Sequence, residues 1–116
     1  MRPWRKSPPE LVEAFGQAAP RDPRVERRTM FGYPALFVRG NMFAGTYGED
    51  VVVRLPEAER AALLKRKAAR PFEPMPGRPM KEYVVLPATV LRRRAALASF
   101  LARGLAYAAT LPPKKK

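Results

Sequence analysis

One stretch of the chain, residues 29–47, constrains the fold more than any other. Two short apolar segments in it favour β-strands, residues 35–38 and 42–47, and the pair Gly40-Asn41 lies between them. Glycine at the first central position of a two-residue turn tolerates a positive φ, so this pair predicts a tight turn. The stretch therefore predicts a β-hairpin, whose entry is shaped by Gly32 and Pro34.

Further strands and three helices are predicted around this hairpin. Ser7, Pro8 and Glu10 form a capping box that predicts a helix ending at Pro20, and Pro56 opens a second helix. Residues 25–30, 51–55 and 80–86 predict strands, and the proline-rich residues 69–79 allow only a short edge strand at 70–74. Apolar residues at helical spacing over residues 90–111 predict the longest helix.

These elements predict the α+β fold class, with an antiparallel sheet covered on one face by helices, because each strand has one apolar face to bury. The expected organisation is a single domain over residues 1–116, with mobile tails at 1–6 and 112–116. Val51, Val53 and Val85 are candidates for a two-fold contact on the sheet. No apolar run approaches the ~20 residues of a membrane helix, so we expect no membrane contact. The sequence contains no cysteine, which fits a reducing compartment, and a cytoplasmic location is expected.

The charge of the chain is strongly basic and unevenly distributed. Lysine and arginine number 23 against 10 acidic residues, a net charge of +13. Residues 1–58 contain 9 basic and 7 acidic side chains, whereas residues 59–116 contain 14 and 3. A basic balance favours association with polyanions, although a protein rich in Arg, Ala and Pro also acquires such a charge from a GC-rich genome.

Two basic clusters are the candidate contacts for polyanions. Lysine and arginine neutralise phosphates and release counterions, while the alternative interpretation is a pair of solvated helix ends. The candidate residues are Lys65, Arg66, Lys67, Arg70, Arg92, Arg93 and Arg94.

The residue types that carry most catalysis are missing. The chain has no histidine and no cysteine, so most metal sites, nucleophilic dyads and acid–base pairs lose their usual members. Gly40 and Gly45 have the spacing of a phosphate loop, but the following residues are Thr46 and Tyr47 instead of the lysine and hydroxyl residue that such a loop needs. We therefore expect no enzyme activity, no cofactor and no metal.

Several short motifs resemble the N-terminal domain of the TfoX/Sxy family. Arg28 is followed by Met30, Phe31 and Gly32, and after an aromatic-aliphatic strand comes a second motif. That second motif is Gly40, Asn41, Met42, Phe43 and Ala44. A third similarity covers residues 72–75 and 80–87. In the first motif the family usually has a second glycine directly after Gly32, and this sequence has Tyr33 there.

The resemblance implies a two-layer fold similar to secretion chaperones, in the order α-β-β-β-α-β-β-α. Family members with a second, C-terminal domain regulate natural competence alongside the cyclic-AMP receptor protein, and no such second domain is evident here. The resemblance supplies no catalytic residues. It implies a non-enzymatic regulatory or interaction module whose partner is another protein or a second copy of the chain. The alternative is a small basic protein that binds nucleic acid weakly and without sequence specificity.

Overall fold

The computed structural model describes residues 8–30, 33–72 and 82–112. Four helices and six strands occur in these residues. In chain order they are α1 (Pro9–Ala18), β1 (Val25–Met30), β2 (Tyr33–Val38), β3 (Asn41–Tyr47), β4 (Asp50–Arg54), α2 (Glu57–Lys65), β5 (Arg70–Pro71), β6 (Tyr83–Val85), α3 (Ala88–Leu91) and α4 (Arg94–Ala108).

The strands form one antiparallel sheet in the order β1-β2-β3-β4-β6-β5. The first four strands follow one another as a meander, since short turns join antiparallel neighbours. A β-bulge interrupts the pairing of β2 with β3: Leu36 lies opposite Ala44, but Phe37 lies opposite Met42. Phe43 is therefore the extra residue, and both Phe43 and Ala44 join the core beneath the helices.

The main core lies between the helices and one face of the sheet. All four helices contribute to it, and Val51 and Val53 of β4 are completely buried against them. Helix α4 packs closely on the sheet at Gly104. A Cβ atom added to this glycine would lie 2.8 Å from Cγ2 of Val53 and 3.1 Å from the carbonyl oxygen of Phe43. Glycine at this position lets the longest helix lie directly on β3 and β4.

The fold class predicted from the sequence is confirmed, with an antiparallel sheet and helices on one face. Residues 25–30 form a full strand, so four strands precede α2. The short edge strand predicted in the proline-rich segment exists as β5. No helix in the described part of the chain is both long and apolar enough to span a membrane.

Two predictions about the ends of the chain fall largely on residues that the structure does not describe. Ser7 of the predicted capping box lies outside the described residues, and the N-cap position of α1 is Pro8. The predicted tails at 1–6 and 112–116 also lie outside them, except for Pro112. Helix α1 ends at Ala18, two residues before Pro20.

The predicted turn residues of the hairpin are wrong by one position. Arg39 and Gly40 occupy the two central positions, with φ values of 53° and 83°, and Asn41 opens β3 opposite Val38. A turn with positive φ at both central residues matches the twist of the flanking strands. Arginine accepts that conformation here, so the turn ends one residue earlier than the Gly-Asn pattern indicates.

The prediction that Val51, Val53 and Val85 form an exposed surface for a two-fold contact is wrong, because all three side chains are buried. Val51 and Val53 are 0% exposed under the helices, and Val85 is 4% exposed on the other face of the sheet. The β-branched side chains that favour a strand are used to fill the protein's own core. Self-association through other residues stays a prediction.

Candidate functional site

Two cavities flank the short helix α3 at one end of the sheet. The first has a volume of about 400 Å³ and is lined by Glu49, Asp50, Lys67, Ala69, Arg70, Leu86, Pro87 and Leu91. The second has a volume of about 320 Å³ and is lined by Thr89, Val90, Arg92, Arg93 and Ala96. We call these two cavities and their lining residues the α3 surface.

The first cavity is built by segments that are distant in the sequence. Strand β4 begins with Asp50, whose Oδ1 accepts a 3.1 Å hydrogen bond from the guanidinium of Arg70. Arg70 belongs to β5, which pairs with β6, and β6 pairs with β4. The sheet order therefore brings an acidic strand start and a basic edge strand to the same cavity.

Lys67 reaches this cavity from an unusual helix end. Lys67 has a left-handed φ of 56°. Its N–H donates to the carbonyl of Leu64 at 3.1 Å, and the N–H of Ala68 donates to the carbonyl of Leu63 at 2.8 Å. This pattern is a Schellman motif, in which the left-handed position is usually glycine. A lysine stands there instead, and its side chain lines the cavity.

The second cavity lies where α3 ends and α4 begins. The carbonyl of Pro87 accepts hydrogen bonds from Val90 and Leu91, and the N–H of Arg93 donates to the carbonyl of Val90 at 3.0 Å. Arg93 then adopts an extended conformation and serves as the N-cap residue of α4, without a capping side-chain hydrogen bond. Arg92 and Arg93 line the cavity at this break.

The prediction of a single helix over residues 90–111 is therefore wrong, because the helical conformation is interrupted at Arg92 and Arg93. The apolar residues Val90, Leu97 and Leu101 lie close to the same direction in a 3.6-residue period. Periodicity thus does not distinguish one helix from two helices that keep the same phase. The arginines do not fan around one helical turn: Arg92 and Arg93 lie in the break, and Arg94 is the first residue of α4.

The two basic clusters differ in their electrostatic setting. Lys65 is in the last turn of α2, where cations interact favourably with the negative end of the helix. Arg93 and Arg94 lie at the positive end of α4, whose first turn contains no acidic residue. Within the described residues, no side chain of Arg92, Arg93 or Arg94 has an ion-pair partner. Lys65 therefore has a structural explanation, whereas Arg93 and Arg94 oppose the stability of α4.

The structure brings together four of the seven predicted polyanion contacts. Lys67 and Arg70 line the first cavity, and Arg92 and Arg93 line the second. The other three, Lys65, Arg66 and Arg94, are exposed and line neither cavity. The gathering of two clusters around α3 depends on pairing between distant strands, and the sequence carries no local signal of it.

A protein-family model matches residues 16–108, and its description is TfoX N-terminal domain. The match covers well over half of the chain. The chain belongs to the TfoX N-terminal domain family. This family is of a regulatory type and is not a known enzyme family. No curated protein matches the chain as a relative.

The second TfoX motif holds the core and the end of α4 in place. Gly40 supplies a positive φ to the turn, while Asn41 is 8% exposed and its Nδ2 donates to the carbonyl of Pro112 at 3.0 Å. Phe43 and Ala44 are fully buried in the main core, and Met42 packs on the opposite face of the sheet. Of the first motif, Met30 ends β1, while Phe31 and Gly32 lie outside the described residues.

On the outer face of the sheet, this TfoX domain has a row of aromatic rings that the sequence patterns did not predict. The distances between ring centroids are 5.5 Å from Tyr33 to Tyr47, 5.3 Å from Tyr47 to Phe72 and 6.5 Å from Phe72 to Tyr83. The rings are tilted or edge to face, so they pack against one another. The alternation of Tyr33, Ala35 and Phe37 along β2 is the local signal that could have found one end of the row.

Polar groups at one end of this row are held by local partners. The hydroxyl of Tyr83 donates to the carbonyl of Met42 at 2.8 Å, and burial raises the pKa of Tyr83. Arg54 bonds Glu82 through Nε at 2.6 Å, and its guanidinium lies 5.7 Å from the centre of the Tyr83 ring.

Proposed function

We propose that this TfoX domain is a non-enzymatic interaction module that acts through contacts with another protein. The observation that carries the proposal is the α3 surface. Basic side chains from two distant segments meet around one short helix there, above cavities that also have apolar walls. A cationic surface with apolar recesses is suited to binding, since charge sets orientation and buried apolar contact supplies affinity.

The composition of the α3 surface supports binding over catalysis. The second cavity offers one hydroxyl, that of Thr89, and its charged neighbours are Arg92 and Arg93. Arginine stays protonated in proteins and does not act as a base. In the first cavity the carboxylate of Asp50 is engaged with Arg70. A nucleophile needs a neighbouring base to be activated, and the residues described around α3 do not provide such a pair.

We further propose that this contact serves regulation in the cytoplasm, in the manner of the competence regulators whose N-terminal domain the chain resembles. The partner is a different protein or a second copy of the chain. Sedimentation at increasing protein concentration distinguishes them, because only a second copy raises the molecular mass of the purified protein.

Crosslinking in the cells that produce the protein tests the proposed function. A lysine-reactive crosslinker joins the chain to proteins, whereas ultraviolet light joins it to nucleic acid. We expect discrete adducts that survive nuclease and disappear with protease. Adducts that form mainly under ultraviolet light and disappear with nuclease contradict the proposal, and so does the absence of any adduct.

Weak binding of nucleic acid is the second candidate function, and the net charge of +13 together with the exposure of Arg92, Arg93 and Arg94 favours it. Binding through phosphates alone gives a Kd of ~10⁻⁴–10⁻⁶ M that weakens steeply with salt. In this case, changing all three arginines to alanine should flatten the dependence of affinity on salt. Anisotropy of labelled duplex DNA over a salt series measures both quantities.

A further inference from the structure

We propose that the α3 surface docks an acidic, amphipathic segment of a partner protein. In this arrangement an apolar side chain of the segment enters a cavity beside α3, and its carboxylates contact Lys67, Arg92 and Arg93. The inference rests on the proposed function, since it specifies where the protein contact is made and what chemistry the partner presents.

The walls of both cavities supply the apolar part of this recognition. In the first, Ala69 and Leu86 are buried and Leu91 is half-buried. In the second, Val90 and Ala96 are half-buried. Volumes of about 400 and 320 Å³ lie at the lower end of the range for small-ligand pockets. Such recesses suit single anchoring side chains of a peptide.

Charge complementarity identifies the partner segment as acidic. Lys67, Arg92 and Arg93 are exposed and lack ion pairs within the described residues. Arg93 also stands at the positive end of α4, where a cation reduces helix stability. Carboxylates of a bound segment neutralise these charges, so binding removes a repulsion that the free protein contains.

The absence of aromatic residues from the described walls of both cavities favours a protein segment over a nucleic acid. The aromatic row is on the outer face of the sheet, where its rings pack on one another. Single-stranded nucleic acids are held by bases stacked on aromatic rings next to a basic groove, and the described α3 surface lines its cavities with no aromatic residue.

The absence of cysteine from the sequence allows a direct test with a single fluorophore. Thr89→Cys places the label in the second cavity, and Ala106→Cys places a control label on an exposed position of α4. At 1.5 Å per residue, position 106 is about 20 Å along the helix from Arg93. The probe is a synthetic peptide of about 16 residues of glutamate, aspartate and leucine, long enough to span both cavities. The control peptide replaces each leucine by serine.

We expect the leucine-containing peptide to change the fluorescence at position 89 saturably at about 0.15 M salt, where exposed charges are already screened, with little change at position 106. The serine peptide and a DNA strand of about 16 nucleotides should bind roughly tenfold more weakly, as expected when an apolar anchor is lost. Equal binding of the serine peptide or of DNA overturns the proposal, as does an equal response at position 106 or no binding at all.

Variants then assign the binding to the arginines. Changing Arg92, Arg93 and Arg94 together to alanine should weaken peptide binding about tenfold, since each exposed charge contact contributes modestly. The charge-matched control changes Arg21, Arg24 and Arg28, all exposed and in or near β1, and should bind normally. Equal loss in both variants overturns the proposal.

The variant Arg93→Asp separates a loss of peptide binding from a loss of folding. It should weaken peptide binding while raising the melting temperature, so that lost binding is not attributable to unfolding. Unchanged binding by this variant overturns the inference. If the peptide tests fail while nuclease-resistant protein adducts still form in cells, the docking inference is wrong and the proposed function stands.

Discussion

At the scale of single residues, the same substitution should have opposite effects at two helical glycines. Alanine is favoured over glycine inside a helix by about 1 kcal/mol. At Gly104 the new Cβ meets Val53 at 2.8 Å and the Phe43 carbonyl at 3.1 Å, whereas at Gly16 it meets only a guanidinium nitrogen of Arg27 at 3.8 Å. Because overpacking costs about 1–3 kcal/mol, Gly104→Ala should destabilise the protein and Gly16→Ala should stabilise it.

Urea unfolding of both variants measures the two free energies. A stabilised Gly104→Ala variant would show that α4 moves away from the sheet without loss, contrary to the close packing described above.

Lys67 carries a conformational cost that glycine would remove. Its left-handed φ of 56° in the Schellman motif is unfavourable for a residue with a Cβ. Lys67→Gly should therefore raise the free energy of unfolding by about 0.5–1 kcal/mol. Lys67→Ala loses the same charge but keeps the backbone strain, so it should give no such gain. If the two variants are equally stable by thermal denaturation, the cost does not lie in the backbone.

At the scale of elements, the start of α4 should show stability and binding changing in opposite directions. Arg93 is the N-cap residue without a capping hydrogen bond. Aspartate there caps the helix and places a negative charge at its positive end, which should stabilise the protein by about 1–2 kcal/mol. Arg93→Ala removes the unfavourable charge without adding a cap, so it should raise the melting temperature less than Arg93→Asp does. Equal melting temperatures for the two variants would contradict this account.

The sequence predicts these elements well where the signal is local and poorly where distant segments meet. Val51, Val52 and Val53 specify a strand by side-chain shape alone, and the strand formed. The turn shifted by one residue because Arg39 adopts a positive φ that its residue type does not indicate. The apolar residues before and after the break at Arg92 and Arg93 keep the same 3.6-residue spacing, so the pattern of apolar residues does not reveal the break.

The candidate site shows the same limit more strongly. Its basic residues were recognisable in the sequence as two clusters. Their gathering around α3 follows from the pairing of β4 with β6 and of β6 with β5, with Lys67 and Arg70 on one side and Arg92 on the other. Such long-range pairing is set by the packing of the whole sheet and not by neighbouring residues.

At the scale of the whole molecule, stability should be constant near neutral pH and fall at both extremes. The side-chain hydrogen bond from Arg24 lowers the pKa of Asp22 from 3.8 to about 2, and burial raises the pKa of Tyr83 above 10.0. Because the pKa of Asp22 is lower in the folded protein, this carboxylate stabilises the fold at any pH above its unfolded pKa of 3.8. That stability is lost as the pH falls toward 2. For Tyr83 the sign is reversed. Its contribution to stability is complete below pH 10 and is lost as the pH rises above that value.

Urea unfolding from about pH 2 to about pH 11 measures this profile, because the range includes the ordinary pKa values of both aspartate and tyrosine. The sequence has no histidine or cysteine to titrate in the middle of the range, so a flat region is expected between about pH 5 and pH 9. Asp22→Asn should weaken the fall on the acid side, and Tyr83→Phe should alter the profile only on the alkaline side. A sharp change near about pH 6.5, the ordinary pKa of histidine, would contradict the profile.

The three arginines at the start of α4 also link the melting temperature of the protein to the concentration of its partner. A ligand present at about 100 times its Kd stabilises the folded state by about 2.7 kcal/mol. In a domain of this size that is roughly a 10 °C rise in melting temperature. Thermal melting with fractionated proteins from the producing cells therefore detects a partner whose identity is unknown. A rise that disappears when Arg92, Arg93 and Arg94 are alanine marks the fraction that acts through this surface.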